Sequence, residues 1–94
     1  PANYSLSQNY PNPFNPSTTI RYGLPFVSNV KIDVYDMIGQ KVTSLLDTEQ
    51  QPGHHEVLFN TDGLTSGIYF YVINSKQVDG TGKFSEVKKM VLMK

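Results

Sequence analysis

Few side chains in this sequence of 94 residues could handle protons or metals, and their spacing rarely brings two together. His54 and His55 are the only histidines. Neighbouring residues of a strand point to opposite faces, so these two imidazoles cannot readily share one ion. Glu56 and Asp62 lie close in sequence without completing an HxxxH or HxH pattern, and the pair reads as a solvated strand start. Asp33 and Asp36 could serve as general acid and base only in a cleft that moved their pKa values apart. Alternation places Asp33 on an outward strand face and Asp36 at the start of a turn, which predicts a solvated carboxylate and a turn cap. Neither belongs to the spaced ligand set of a calcium loop. No serine sits in a G-x-S-x-G elbow. Gly80-Thr81-Gly82 is too short for a phosphate cradle and precedes no helix. There is no cysteine, so thiolate chemistry, disulfides and Cys-built zinc sites are excluded. The residues assign no catalytic, cofactor-binding or metal position, and the chain reads as a non-enzyme.

Two features could still recognise a partner. Tyr4, Tyr10, Tyr22, Tyr35, Tyr69 and Tyr71 could line an aromatic platform for a sugar or a peptide. Core packing with hydroxyls at the rim is the favoured reading, with Tyr35, on an outward parity, as the exposed exception. The run Lys88-Lys89-Met90-Val91-Leu92-Met93-Lys94 reads as an edge strand guarded by lysines. Such an edge is also open to a receptor that adds a strand of its own.

The elements that must position these groups are strands. Residues 1–17 form an extended lead-in, punctuated by Pro11, Pro13 and Pro16 with asparagines around them. Tyr10 and Phe14 are spaced to anchor it. From residue 18 alternation begins: Ile20, Tyr22 and Leu24 share one face and Pro25 ends the strand. Val30, Ile32 and Val34 repeat the pattern, and Asp36-Met37-Ile38-Gly39 forms a tight turn. Lys41–Leu46 returns, and 47–53 reads as a polar connection ending in Pro52-Gly53. His54–Phe59 is a further strand. Ile68–Ile73 is apolar or aromatic on both faces, which predicts a central strand covered on both sides. Residues 74–83 read as a polar connection before a last strand over 84–93. Turn signals every ~8–12 residues predict an all-β, antiparallel sandwich of about seven strands occupying residues 18–94.

Composition agrees with a small module carried by something larger. Eight basic side chains balance eight acidic ones, which gives no footprint for nucleic acid or an anionic membrane. A neutral domain is poorly soluble alone. No apolar run approaches the ~20 residues of a transmembrane segment. The opening Pro1-Ala2-Asn3-Tyr4 has neither Met nor a signal-peptide core, so the chain reads as part of a longer protein whose export signal lies upstream.

Five blocks, in order, carry a resemblance. Asn9-Tyr10-Pro11-Asn12-Pro13-Phe14-Asn15-Pro16-Ser17-Thr18-Thr19-Ile20-Arg21-Tyr22 is the first, and Val34-Tyr35-Asp36-Met37-Ile38-Gly39-Gln40-Lys41-Val42 the second. Pro52-Gly53-His54-His55, Leu64-Thr65-Ser66-Gly67-Ile68-Tyr69-Phe70-Tyr71 and Lys88-Lys89-Met90-Val91-Leu92 follow. Together they resemble the type A C-terminal sorting domain, or Por secretion tail, of the type IX secretion system, found in Bacteroidetes and related bacteria. The first block is also similar to an Ig-like domain of flagellar hook-cap proteins. The resemblance implies an immunoglobulin-like sandwich attached to an N-terminal cargo domain. It implies transit through the periplasm, reading by the outer-membrane type IX translocon, and processing by a sortase-like surface peptidase. The cargo would finish at the outer-membrane surface or be secreted. The residues expected to be read are Gly67, Tyr69, Lys88, Lys89, Met90, Val91, Leu92 and Lys94. The competing expectation is an Ig-like accessory binding or spacer module of an exported protein.

Overall fold

The computed structural model describes residues 1–94, and all of its regular structure is β. Seven strands are present: β1 Ser5–Leu6, β2 Ser17–Leu24, β3 Ser28–Tyr35, β4 Lys41–Gln50, β5 Gly53–Asn60, β6 Gly67–Gln77 and β7 Lys83–Leu92. They form two antiparallel sheets, in the orders β1-β2-β5 and β4-β3-β6-β7. The expected all-β, Ig-like sandwich is therefore the fold. Its inner faces come from the alternation: Ile20, Tyr22 and Leu24 on β2, Val30, Ile32 and Val34 on β3, and Tyr69, Tyr71 and Ile73 on β6 are all buried. Phe14, Phe59, Met90 and Leu92 complete the core.

Several boundaries differ from expectation, each because a neighbouring strand demands a partner. Residues 47–50 continue β4, since β3 needs pairing down to Ser28, which faces Gln50. Polar residues suffice there because β4 is an edge strand. Likewise Asn74–Lys76 pair with Lys83–Ser85, so the connection between β6 and β7 shrinks to residues 78–82. β6 is central, between β3 and β7, but it is not covered on both sides. A two-layer sandwich covers one side only, and Ile68, Phe70 and Val72 remain partly exposed. Asp33 departs from the solvated carboxylate expected: it is 5% exposed. It lies on the outward face, flanked by Lys31 Nζ at 3.7 Å and Lys41 Nζ at 3.8 Å.

The lead-in changes sheets. β1 pairs with β2 at the register Ser5 to Gly23, and the Tyr10 and Thr19 backbones exchange two hydrogen bonds of 3.0 and 2.9 Å. The chain then crosses the side of the sandwich, and Phe14 runs parallel to the end of β7. There the Phe14 N–H donates to the Val91 carbonyl, and the Met93 N–H donates to the Phe14 carbonyl, each at 3.0 Å. Prolines have no N–H to offer. Side chains supply what the backbone lacks: Asn12 Oδ1 accepts the Val91 N–H at 2.9 Å, and buried Asn9 donates to the Pro11 carbonyl and to Thr18 Oγ1. Of the two anchors expected, only Phe14 is buried. Tyr10 contributes its backbone and leaves its ring 77% exposed, so it, and not half-buried Tyr35, is the most solvated tyrosine.

Candidate recognition site

The residues weighed for chemistry are held apart by the assembled fold. The ring of His55 stacks on Tyr22 at 5.4 Å, and its Nε2 lies 2.7 Å from the Gln51 carbonyl. His54 points to the opposite face, into a shallow polar hollow it shares with Ser5, Ser7, Arg21 and Glu56. No group of three His, Asp or Glu side chains is placed to hold an ion. Where the surroundings displace a pKa, they displace it away from neutrality. Burial pushes the Tyr71 hydroxyl up to about 12, with the Asn9 N–H opposing and Glu86 adding to the rise. Burial also raises Tyr22, against its bond to Gln50. Asp79 is held below the ordinary carboxylate value by the Thr81 hydroxyl and N–H. A general acid or base working at neutral pH needs the reverse displacement.

What the fold does present is a structured end. Gly67 begins β6 opposite Leu92 of β7, with φ 155°, a conformation that side-chain-bearing residues rarely adopt. Tyr69 is 6% exposed and donates its hydroxyl to the Thr65 carbonyl at 2.8 Å, which ties the loop 61–66 to the core. The Lys94 N–H donates to Ser66 Oγ at 2.9 Å. Across from these residues stands the β3–β4 turn, where Asp36 Oδ1 accepts the N–H groups of Ile38 and Gln40 at 3.0 and 2.9 Å. The turn cap expected of Asp36 is thus in place, and Gly39 supplies the positive φ, 85°. This rigid turn holds Met37 65% and Ile38 79% exposed. Between it and Thr65–Tyr69 lies an open groove of about 310 Å³.

The structure brings Gly67, Tyr69, Leu92 and Lys94 to this end, and runs Lys88–Val91 down the adjoining β7. Met90 and Leu92 are core residues, at most 1% exposed, whereas Lys89 and Lys94 are exposed. Lys88 is paired with Glu86 at 3.5 Å. β7 is an edge strand, but the lead-in covers its end: Gln8 Nε2 donates to the Lys89 carbonyl at 2.7 Å, beside the Asn12 and Phe14 contacts to Val91. The edge left without a neighbouring strand is therefore the earlier part, Lys83–Lys88. Sequence reasoning did not single out Met37 and Ile38, which the fold leaves exposed beside the groove. Their signal was an apolar pair inside a turn, where small polar residues are the rule.

Three comparisons bear on this arrangement. A family model described as the secretion system C-terminal sorting domain matches residues 8–91. Among solved structures, the chain is similar to part of dimeric latent PorU from Porphyromonas gingivalis, at 23% identity and a TM-score of 0.72. The match covers 99% of this chain and 10% of that one, a likeness of fold. No curated protein matches.

Proposed function

The chain belongs to the secretion system C-terminal sorting domain family and is a sorting signal of type IX secretion, and from that premise we propose that the export machinery reads its folded end rather than any reactive group. The observation that carries this reading is the convergence of Gly67, Tyr69, Lys94, Met37 and Ile38 around one groove. A pre-formed turn that holds two large apolar side chains side by side in water offers a partner apolar area to bury at little ordering cost.

The geometry suits a module carried on cargo. Ser5 pairs with Gly23, one residue from the Leu24–Gly53 end of its sheet, whereas Leu92 and Gly67 lie at the other end of the sandwich. A cargo domain attached before Pro1 leaves the reading end clear. The cargo crosses the periplasm, the outer-membrane translocon engages Gly67 and the accessible residues Lys88, Lys89, Val91 and Lys94 while buried Tyr69 holds the loop before β6 in place, and a sortase-like surface peptidase processes the tag. The buried Met90 and Leu92 act by shaping the strand. The product is surface-bound or secreted cargo, and the tag is a substrate of this machinery with no catalytic part of its own.

The test is a reporter bearing a periplasmic signal and residues 1–94, expressed in a bacterium with type IX secretion. Export with loss of the tag is the expected result, and intact reporter held in the periplasm overturns the reading. The double variant Met37→Ser, Ile38→Ser should keep its melting temperature and lose export.

A further inference from the structure

β6 is apolar on both sides, and the core uses only one of them. Tyr69, Tyr71 and Ile73 point between the sheets. Ile68, Phe70 and Val72 point away from the partner sheet. In register, Tyr35 of β3 lies opposite Phe70, while Val91 and Val87 of β7 lie opposite Ile68 and Val72. Directly opposed residues of an antiparallel pair share a face. Tyr35, Ile68, Phe70, Val72, Val87 and Val91 thus form one apolar field on the outside of a two-layer sandwich, with Val87 58% exposed. Outward positions of such sheets are ordinarily polar. The other sheet mostly follows that rule, with Arg21, His54 and Glu56 outward. At its upper margin the field runs into the groove of Met37 and Ile38 through Ile68, which lines both.

Charge selects the occupant. Lys31, Lys41, Lys76, Lys83 and Lys89 share this face with Asp33, Asp47 and Glu49. Asp33 is buried between Lys31 and Lys41, which removes one carboxylate from the surface. Lys89, directly opposite Phe70, has no ion-pair partner, nor do Lys76 and Lys83, which face each other. The field is therefore apolar at its centre and lysine-rich at its margin. A second copy of the chain would bring the same lysines and be repelled. Protein interfaces place aromatic and aliphatic anchors centrally and complementary charge around them.

We propose that the outer face of the four-stranded sheet, centred on Phe70 and Val87, docks an acidic protein surface of the type IX translocon, with apolar side chains meeting Phe70 and carboxylates meeting Lys89. This deepens, and rests on, the sorting reading above.

The experiment uses the same exported reporter. A photo-reactive phenylalanine analogue replaces Val87, or Leu58 on the outer face of the other sheet, which is 64% exposed. Crosslinks from position 87, and not from 58, to a translocon protein identified by mass spectrometry are expected. The variant Phe70→Thr, Val72→Thr, Val87→Thr keeps strand preference and should cut export about tenfold at unchanged melting temperature. Should that variant melt early, Lys89→Glu, a surface charge reversal, must lower export alone. Normal export by a folded triple variant or by Lys89→Glu overturns the docking face. So do crosslinks only from position 58, only to a second tag, or only to lipid. Failure of the unmodified tag to leave the periplasm instead overturns the sorting reading, and the docking face with it.

Discussion

The hydroxyl of Tyr71, on the central strand, is clasped by the lead-in: it accepts the Asn9 N–H at 2.8 Å and donates to the Ser7 carbonyl at 2.7 Å. A core side chain therefore holds a segment more than sixty residues earlier in the chain. Removing that oxygen strands the N–H of Asn9, itself 2% exposed. Tyr71→Phe should cost about 1–3 kcal/mol. Urea denaturation checks this, and a change below about 0.5 kcal/mol, the size of an ordinary surface substitution, would show the clasp to be idle.

The same hydroxyl sets an alkaline limit. Its ordinary value is 10.0 and burial raises it to about 12 in the fold. Below pH 10 the proton is present in folded and unfolded chains alike, and the contribution is complete. Between these values the unfolded chain has released its proton while the folded chain keeps it, so stability falls as pH rises. The loss amounts to roughly 2–3 kcal/mol by about pH 12. Lysines titrate in the same window. The readout is therefore the difference between wild type and Tyr71→Phe, which should narrow steadily above pH 10.

Asp36 organises the turn that exposes Met37 and Ile38. Asp36→Ala removes two acceptor bonds at a solvated site and should cost about 1 kcal/mol. Export of the reporter should drop further than this loss explains, because the turn would no longer present the pair rigidly. Asp36→Asn retains an acceptor oxygen and should restore both stability and export, measured side by side.

Phe14 is 2% exposed, and its ring lies 6.2 Å from that of Phe59. Phe14→Ala should cost about 3–5 kcal/mol, a large share of what a domain of this size has. Before global unfolding the lead-in should detach first. Amide exchange reads this directly, since the Met93 N–H bonds to the Phe14 carbonyl and should lose protection ahead of β3.

Much of the sandwich could be read from periodicity. β2, β3 and the inner side of β6 follow strict alternation, and Asp36 with Gly39 announces its own turn. Periodicity says which residues share a side of a strand, but not whether anything covers that side. For this reason Phe70 was expected to be enclosed and is not, while Asp33 was expected in water and is buried beside lysine stems. The lead-in was the least legible part. Its prolines signal extension, yet the partner of Asn12 is Val91, 79 residues away, and no local pattern encodes such a pairing. At the candidate site, Gly67 and Tyr69 came from family resemblance, and the final lysines from the edge-strand pattern of Lys88–Lys94. Met37 and Ile38 emerged only when the turn was seen to face the loop before β6.

Because Gln8, Asn12 and Phe14 take their partners from Lys89, Val91 and Met93, the lead-in of the sandwich cannot settle until β7 is in place. Contacts this far apart in sequence form late. A chain lacking Val91 and Met93 has nothing to receive Phe14 and keeps an unfinished seam. Closure of the sandwich thus depends on an intact β7, and a receptor sensitive to that closure distinguishes a fully folded tag from one whose seam is open.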